Sequence, residues 1–190
     1  NDMNLTNLNP YTINQFISET KKIYESFGYN NIQITYEENI DSSINTADLT
    51  FNFIEGKITK INKIYFTGNE NIDSRVLKNS IKSKTKTLRN IFANNNYKKF
   101  IIENDIFEIS KIYRNKGYRN INVNYKIEYL STNQVNIYFN IFEGEKYYFS
   151  SIDILDNENI INSKLKEDIN KQIISFINKN KIYSFKNIEN

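Results

Sequence analysis

The chain carries the sequence FNFIEG at Phe51–Gly56, and a close copy, FNIFEG, follows 88 residues later at Phe139–Gly144. The same offset relates IYFTGNENI at Ile64–Ile72 to IDILDNENI at Ile152–Ile160. Self-similarity at a fixed period is typical of repeat proteins, in which each repeat is one structural unit with its own hydrophobic face to bury. The sequence therefore predicts a tandem array of small domains.

A second internal match sets the boundaries of the repeats. IYESFGYNNI at Ile23–Ile32 returns, at an offset of 89, as IYRNKGYRNI at Ile112–Ile121. The one-residue difference indicates a single insertion in a polar loop, where changes of length cost little. We predict the C-terminal part of one repeat at 1–57, a complete repeat at 58–146 and the N-terminal part of a further repeat at 147–190. A half-repeat lacks part of its core, so we expect either that residues 1–10 and the tail after about Ile177 are loosely held, or that the missing halves are present in the natural protein.

Composition argues against several classes of site. The chain has no Cys and no His, so it offers neither a disulfide framework nor the commonest metal ligands and general base. We therefore predict no catalytic residues, no metal and no cofactor. The 25 basic and 22 acidic residues are scattered, and the net charge of +3 indicates little about partners. No run approaches the roughly 18 apolar residues of a membrane span, and the N-terminus lacks a signal-peptide pattern. We expect a soluble fragment, with any targeting signal outside it.

The complete repeat begins with a strand that ends at Gly68-Asn69, a pair suited to a turn, and continues into two helices. Asp73 is placed to cap the first helix, and Gly117 to end the second in a left-handed conformation. Each helix carries apolar residues on one side. These are Val76, Leu77 and Ile81 in the first helix, and Ile102, Ile106, Ile109 and Tyr113 in the second.

The helix that precedes Gly28 is expected to begin with a capping box, in which Thr12 and Gln15 satisfy each other's exposed amides. In the complete repeat, an Asn-rich connection between the two helices contains the apolar residues Leu88, Ile91 and Phe92. We expect this apolar group to pack back onto the core.

The last section of each repeat has the pattern of a β-hairpin. Apolar and polar residues alternate strictly from Ile121 to Tyr129. After a turn at Ser131-Thr132-Asn133, apolar residues again recur at every second position from Val135 to Ile141, while the opposite face of this strand shows Tyr138 and Phe142. The economical fold for this order of elements is α+β, with a β-α-α-β-β repeat whose two helices cover one face of a three-stranded mixed sheet.

A repeat of this order and length resembles the POTRA domain. The likeness rests on Gly-Asn after the first strand, Tyr-x-x-x-Gly-Tyr at Tyr113–Tyr118 and at Tyr24–Tyr29, and Glu-Gly at the end of the last strand. The repetition of these motifs in one order carries the match, because none of them is specific alone. The resemblance implies tandem POTRA repeats from the periplasmic portion of an outer-membrane protein in a Gram-negative bacterium, linked to a C-terminal β-barrel.

The resemblance also implies a scaffold that binds unfolded outer-membrane β-barrel polypeptides and docks accessory lipoproteins of the barrel assembly machinery. An edge strand can bind an extended chain by β-augmentation. We predict that the edge strand of the complete repeat does so, and that short linkers form inter-repeat hinges. The candidate edge residues are Ile121, Asn122, Val123, Asn124, Tyr125, Lys126, Ile127 and Glu128. The candidate hinge residues are Gly56, Lys57, Gly144, Glu145 and Lys146.

Three other functions fit parts of the sequence. A POTRA protein could serve secretion, translocation or cell division in place of barrel assembly. A nucleic-acid module could combine cations that hold phosphates with aromatic rings that stack on bases, although nearby Glu103 and Asp105 dilute the positive field. Its candidates are Lys82, Lys84, Lys86, Arg89, Lys98, Lys99, Phe92 and Tyr97. An enzyme would have to use Glu37-Glu38 or Asp153 with Asp156, which have no partner base or phosphate loop. We predict no small-molecule substrate and no nucleic-acid partner.

Overall fold

The computed structural model describes residues 9–88, 91–156, 160–179 and 181–184. Nine helices and strands form within these ranges. They are α1 (Pro10–Phe27), β1 (Gln33–Asp41), β2 (Thr46–Ile54), β3 (Lys60–Thr67), α2 (Ser74–Ser80), α3 (Lys99–Asn115), β4 (Asn122–Ser131), β5 (Gln134–Phe142) and α4 (Ser163–Lys179). None of the helices formed by the described residues has both the length and the apolar character needed to cross a bilayer.

Strands β3, β4 and β5 form a three-stranded sheet in the order β3-β5-β4. Contacts between Asn62 and Asn136 and between Tyr65 and Tyr138 advance in the same direction along β3 and β5, so these strands are parallel. The two-residue turn after Ser131 makes β4 and β5 antiparallel. The order β3-α2-α3-β4-β5 and the mixed sheet confirm the predicted α+β repeat.

Strands β1 and β2 form a separate antiparallel sheet, with a register that runs from Gln33 opposite Ile54 to Asp41 opposite Thr46. They correspond in sequence to β4 and β5 of the complete repeat. The hairpin prediction therefore holds in both repeats, because alternation of apolar and polar residues is a local property of the sequence.

The described chain divides into two compact units, each drawn from three stretches of sequence. Unit 1 contains the described residues of 1–65, 81–105 and 125–139, and unit 2 those of 66–80, 106–124 and 140–190. The buried apolar side chains of unit 1 are Ile13, Ile32, Ile34, Ile61, Ile81, Tyr97, Ile102, Val135, Ile137 and Phe139. Those of unit 2 are Ile72, Leu77, Ile109, Tyr113, Tyr118, Ile121, Val123 and Ile141.

The helix ends agree with the sequence in part. Gly28 and Gly117 have positive φ after α1 and α3, as predicted. The predicted capping box at the start of α1 was wrong. Asn9 is the N-cap, and Pro10 follows it in the first turn. The Asn9 Oδ1 accepts from the Thr12 amide at 2.9 Å. The Gln15 side chain instead donates to Glu19, four residues along the helix.

Two further expectations differ from the structure. Leu88 and Phe92 are almost fully exposed and Ile91 is more than half exposed, so this apolar group does not pack onto the core. At the other end of the chain, residues 181–184 are held by backbone hydrogen bonds to Tyr147 and Phe149, and Ser184 is buried, contrary to the expectation of a loose tail. Residues 1–8 and 185–190 lie outside the described ranges.

Candidate functional site

Strand β4 contains seven of the eight residues of the predicted binding edge, and Ile121 directly precedes it. The strand lies at one edge of the three-stranded sheet, with β5 as its single strand neighbour. Side chains alternate in exposure along it, as the sequence predicted. Asn122, Asn124, Lys126 and Glu128 are exposed, Ile121 and Val123 are buried, and Tyr125 and Ile127 are half-buried. Tyr129, which follows on the apolar face, is exposed.

The other edge of this sheet, β3, is partly covered. The Ile61 amide donates to the Asn95 carbonyl at 2.7 Å, and the Asn95 side-chain amide donates back to the Ile61 carbonyl at 3.0 Å. Asn95 thus supplies both hydrogen bonds that a neighbouring strand would make with Ile61. A guest strand could not pair with β3 at this position without displacing Asn95.

A ladder of side chains crosses the sheet next to the exposed end of β4. One Glu128 oxygen accepts from the Asn136 amide at 2.8 Å and from the Tyr138 hydroxyl at 2.7 Å. Asn62 of β3 donates to Asn136 at 3.0 Å, and the Tyr65 and Tyr138 rings stack with centroids 4.8 Å apart. The hydrogen bonds from Asn136 and Tyr138 lower the pKa of Glu128. These contacts hold the side of the sheet next to the candidate edge in one register.

Glu143, at the end of the FNIFEG copy, has a role that the sequence did not indicate. Its side chain is buried and accepts hydrogen bonds from the backbone and side-chain amides of Asn71 and from the Tyr113 hydroxyl at 2.8 Å. The carboxylate thereby ties the turn after β3 and the last turns of α3 to the end of β5. The available signal was that the pair Tyr113 and Glu143 recurs as Tyr24 and Glu55, with one residue more between the two members.

Burial by itself would raise the pKa of Glu143, but the hydrogen bonds from Asn71 and Tyr113 outweigh it, and the pKa lies below its ordinary value of 4.5. A carboxyl whose pKa is lower in the folded state stabilises the fold above its unfolded-state pKa, and that contribution is lost as the pH falls through the folded-state pKa. The charged carboxylate of Glu143 therefore contributes to stability at neutral pH and ceases to do so in acid.

Replacing Glu143 with glutamine is expected to lower the free energy of unfolding by about 1–2 kcal/mol at neutral pH, because the amide keeps one acceptor and loses the charge. The difference between the two proteins should shrink as the pH falls below the ordinary pKa of 4.5. Urea denaturation of both proteins across this range measures the difference. A difference that stays constant with pH would show that the charge of Glu143 contributes nothing.

The two predicted joints between repeats share a set of backbone hydrogen bonds. At the first joint, the Thr59 amide donates to the Gly28 carbonyl at 2.9 Å. The Ile61 amide donates to Asn95 and the Tyr97 amide donates to Thr59, which completes a short β-like pairing. At the second joint the Tyr147 amide donates to the Gly117 carbonyl at 2.9 Å. There the Phe149 amide donates to Lys181 and the Tyr183 amide donates to Tyr147, which repeats the first pattern. The repeats are therefore similar in hydrogen bonding as well as in sequence.

The predicted hinge residues lie on the short segments that lead into these joints. Gly56 and Gly144 have positive φ, and Lys57 and Glu145 follow them in exposed positions. The Lys146 ammonium lies 5.9 Å from the centroids of both the Tyr118 and Tyr148 rings. Bending at these residues stays a prediction.

The residues considered for a nucleic-acid module differ in exposure. Tyr97 is buried, so its ring is not available to stack on a base. The Lys84 ammonium donates to the Ile81 carbonyl, while Lys82, Lys86 and Lys99 are exposed. Of the two nearby acids, Glu103 is exposed, whereas Asp105 is buried and accepts from the backbone amides of Lys82 and Ser83. Arg89 lies outside the described residues.

The carboxylates considered for an enzyme occupy structural or solvent-exposed positions. Glu37 and Glu38 are exposed on β1. Asp156 accepts from the backbone amides of Ile160 and Ile161, both at 3.0 Å, in the segment that precedes α4. Among the described residues, no group of three or more His, Cys, Asp or Glu side chains could hold a metal ion.

Comparison with known proteins gives the family. The model of the POTRA family, described as surface antigen variable number repeat, matches residues 59–144. The outer membrane protein assembly factor BamA of Neorickettsia risticii is 29% identical over 133 residues, which cover 66% of this chain and 17% of that protein. BamA of Buchnera aphidicola is 33% identical over 85 residues, or 42% of this chain and 14% of that protein. The chain thus spans about a sixth of the length of these relatives.

Among solved structures, BamA from Haemophilus ducreyi lacking POTRA domains 1–3 is similar to this chain, with a TM-score of 0.48 and 14% sequence identity. The match covers 75% of this chain and 24% of that protein chain. The POTRA repeats of BamA proteins are the periplasmic part of an outer-membrane protein, and the sequence match gives the same location for this chain. The matched residues coincide with the elements β3 to β5, where the β-α-α-β-β order was found. Residues 59–144 of the chain are therefore a POTRA domain, the family that the repeated motifs predicted.

Proposed function

We propose that this chain is part of a periplasmic scaffold that binds extended outer-membrane β-barrel polypeptides by β-augmentation on strand β4 and docks accessory assembly proteins. The relatives that match it are named as outer membrane protein assembly factors. The role is one of binding, not of catalysis.

The observation that carries the proposal is the position of β4 at a sheet edge. An edge strand presents backbone amides and carbonyls to any extended chain, so affinity depends little on the sequence of the guest. Strand β3 is the less suitable edge, because Asn95 already pairs with Ile61. A guest is therefore expected to add beside β4.

The side chains of β4 indicate which guests fit. Next to Asn122, Asn124 and Lys126 a guest would place polar side chains, whereas on the opposite face its apolar side chains would lie near Ile127 and the exposed ring of Tyr129. Such alternation of polar and apolar residues is typical of strands of transmembrane β-barrels. The ladder at Glu128 keeps this end of the sheet ordered before binding, which lowers the entropic cost of association.

Replacing Lys126 with proline is expected to weaken the binding of a β-barrel strand peptide by about tenfold or more, because proline lacks the amide donor and disfavours regular pairing. Lys126→Ala is the matched control, since it removes the side chain and keeps the amide. NMR titration of the isotope-labelled chain with the peptide measures the affinity of each variant. Proline at Asn124 tests a second position with the same side-chain direction.

Folding of each proline variant is checked by the chemical shifts of buried residues away from β4, such as Leu77 and Ile13. In the unsubstituted chain, shifts should run along Asn122–Glu128. Undiminished binding by a folded Lys126→Pro variant, or shifts confined to β3, would exclude β4 as the binding edge. If no peptide binds the unsubstituted chain, the chain does not capture strands.

A further inference from the structure

The connection between α2 and α3 exposes three large apolar side chains. Leu88 is 100% exposed, Phe92 is 92% exposed and Ile91 is 57% exposed. All three lie in turns, outside the helices and strands. Single exposed apolar residues are common on protein surfaces, whereas a group of them marks a site of contact with a protein, a ligand or a membrane. The connection is therefore a candidate contact site.

The same connection is positively charged. From Ile81 to Ile102 the sequence contains six basic residues and no acidic residue. The basic residues are Lys82, Lys84, Lys86, Arg89, Lys98 and Lys99. Subtracting these six charges from the net charge of +3 leaves −3 for the rest of the chain, so the positive charge is concentrated here. Among the described residues, the salt bridges join Lys171 to Glu167 and Asp168, and none neutralises a lysine of this connection.

The C-terminal sequence repeat builds the corresponding stretch in a different way. At the offset of 88, residues 81–91 correspond to 169–179, which belong to the continuous helix α4. In the complete repeat, α2 ends at Ser80, and the described residues between it and α3 form no helix. A repeat of this kind can therefore be built without an exposed apolar turn. The basic and apolar connection is a separate feature of the complete repeat.

A bilayer surface matches both properties of this connection. Basic side chains are attracted to anionic headgroups, and apolar side chains enter the boundary between headgroups and acyl chains. A stable protein interface buries about 800 Å² on each partner, which is more than three side chains on a turn provide. A nucleic acid would contact the cations but would leave the aliphatic side chains of Leu88 and Ile91 in water. The combination of charge and apolar surface thus favours a membrane.

We propose that this connection binds a phospholipid bilayer that contains anionic lipids, with Leu88 and Phe92 inserted among the headgroups and Lys82 and Lys86 at the phosphates. The chain belongs to the periplasmic part of an outer-membrane protein, so a phospholipid surface bounds its compartment. Salt weakens the attraction of the lysines, whereas the insertion of apolar side chains persists. Binding of the bilayer does not require a guest strand on β4.

Tryptophan reporters measure insertion, because the chain contains no Trp. Phe92→Trp places an indole in the turn, and Phe107→Trp is the matched control at an exposed position of α3. With vesicles of phosphatidylcholine and phosphatidylglycerol, the emission of Phe92→Trp should shift to shorter wavelength and saturate, whereas that of Phe107→Trp should not change. With phosphatidylcholine alone, the binding should be at least about tenfold weaker. No shift with anionic vesicles, or equal shifts at both positions, would overturn the proposal.

Flotation with the same vesicles separates the apolar contribution from the basic one. Phe92→Ser should weaken binding by about tenfold or more, and Lys86→Gln by about fivefold. Phe107→Ser and Lys111→Gln remove an exposed ring and an exposed charge from α3, and should leave binding unchanged. Equal weakening by the two pairs would mean that the connection is not the contact site. If vesicles do not bind, and a single-stranded oligonucleotide binds in a manner that needs Lys86 but not Phe92, the partner is a nucleic acid and not a membrane.

Discussion

Replacing Gly68 with alanine is expected to lower the free energy of unfolding by about 3–5 kcal/mol. Gly68 directly follows β3 with a φ of +75°, and a Cβ atom added there would clash with the carbonyl oxygen of Ile141. The left-handed conformation costs a non-glycine residue about 1–2 kcal/mol. The clash adds to that cost, because the atom in the way belongs to the backbone of β5 and cannot rotate aside.

Gly56 supplies the matched control. Its φ is +70°, close to that of Gly68, but the nearest heavy atom to an added Cβ is 3.7 Å away. Gly56→Ala should therefore cost about 1 kcal/mol, from conformation alone. Urea denaturation of the two variants measures the difference between them. Equal losses would mean that β3 and β5 separate at this point with little cost.

Local patterns in the sequence predicted most of the secondary structure. The alternation of residues along β4 places Val123 inside and Asn124 outside, because a strand turns successive side chains to opposite faces. Gly28 and Gly117 ended their helices as predicted, since a left-handed residue favours glycine at this position. These properties depend on neighbours close in sequence, which is why one sequence is enough to predict them.

Features that depend on distant partners could not be predicted in this way. The apolar group at Leu88 and Phe92 was expected to be buried, but hydrophobic character alone does not specify a site that can receive it. Glu143 was interpreted as the end of a strand, although it binds Asn71 and Tyr113. The N-cap of α1 was assigned to Thr12 because Gln15 completed a known pattern, yet Asn9 also fits a cap before proline.

The candidate edge was predictable only in part. Alternation in the sequence predicted that Ile121–Glu128 forms an amphipathic strand, but its place in the sheet depends on the order of the strands. The coverage of β3 by Asn95 depends on a connection more than 30 residues away in sequence. The segments that occupy this position at the two joints have little more in common than one tyrosine, Tyr97 at the first joint and Tyr183 at the second. The sequence repeat alone therefore does not reveal that β3 is covered.

Replacing Asp105 with alanine is expected to lower the free energy of unfolding by about 3–4 kcal/mol. Asp105 is fully buried on α3, and its two oxygens accept from the backbone amides of Lys82 at 2.6 Å and Ser83 at 3.0 Å. These amides begin the connection that follows α2. Alanine would leave the buried amide of Ser83 without a partner and open a small space, and each effect is costly.

Two further variants distinguish the effect of losing the carboxylate from the effect of a substitution elsewhere in the same part of α3. Asp105→Asn keeps one acceptor oxygen, so it should lose about half as much stability as the alanine variant. Glu103→Ala changes an exposed acid two residues earlier and should alter the stability by less than about 0.5 kcal/mol. Amide hydrogen exchange locates the effect, because Lys82 and Ser83 should lose protection in Asp105→Ala before residues of β5 do. If the alanine variant unfolds at the same urea concentration as the unsubstituted chain, the two backbone amides find other partners, and Asp105 does not hold the connection to α3.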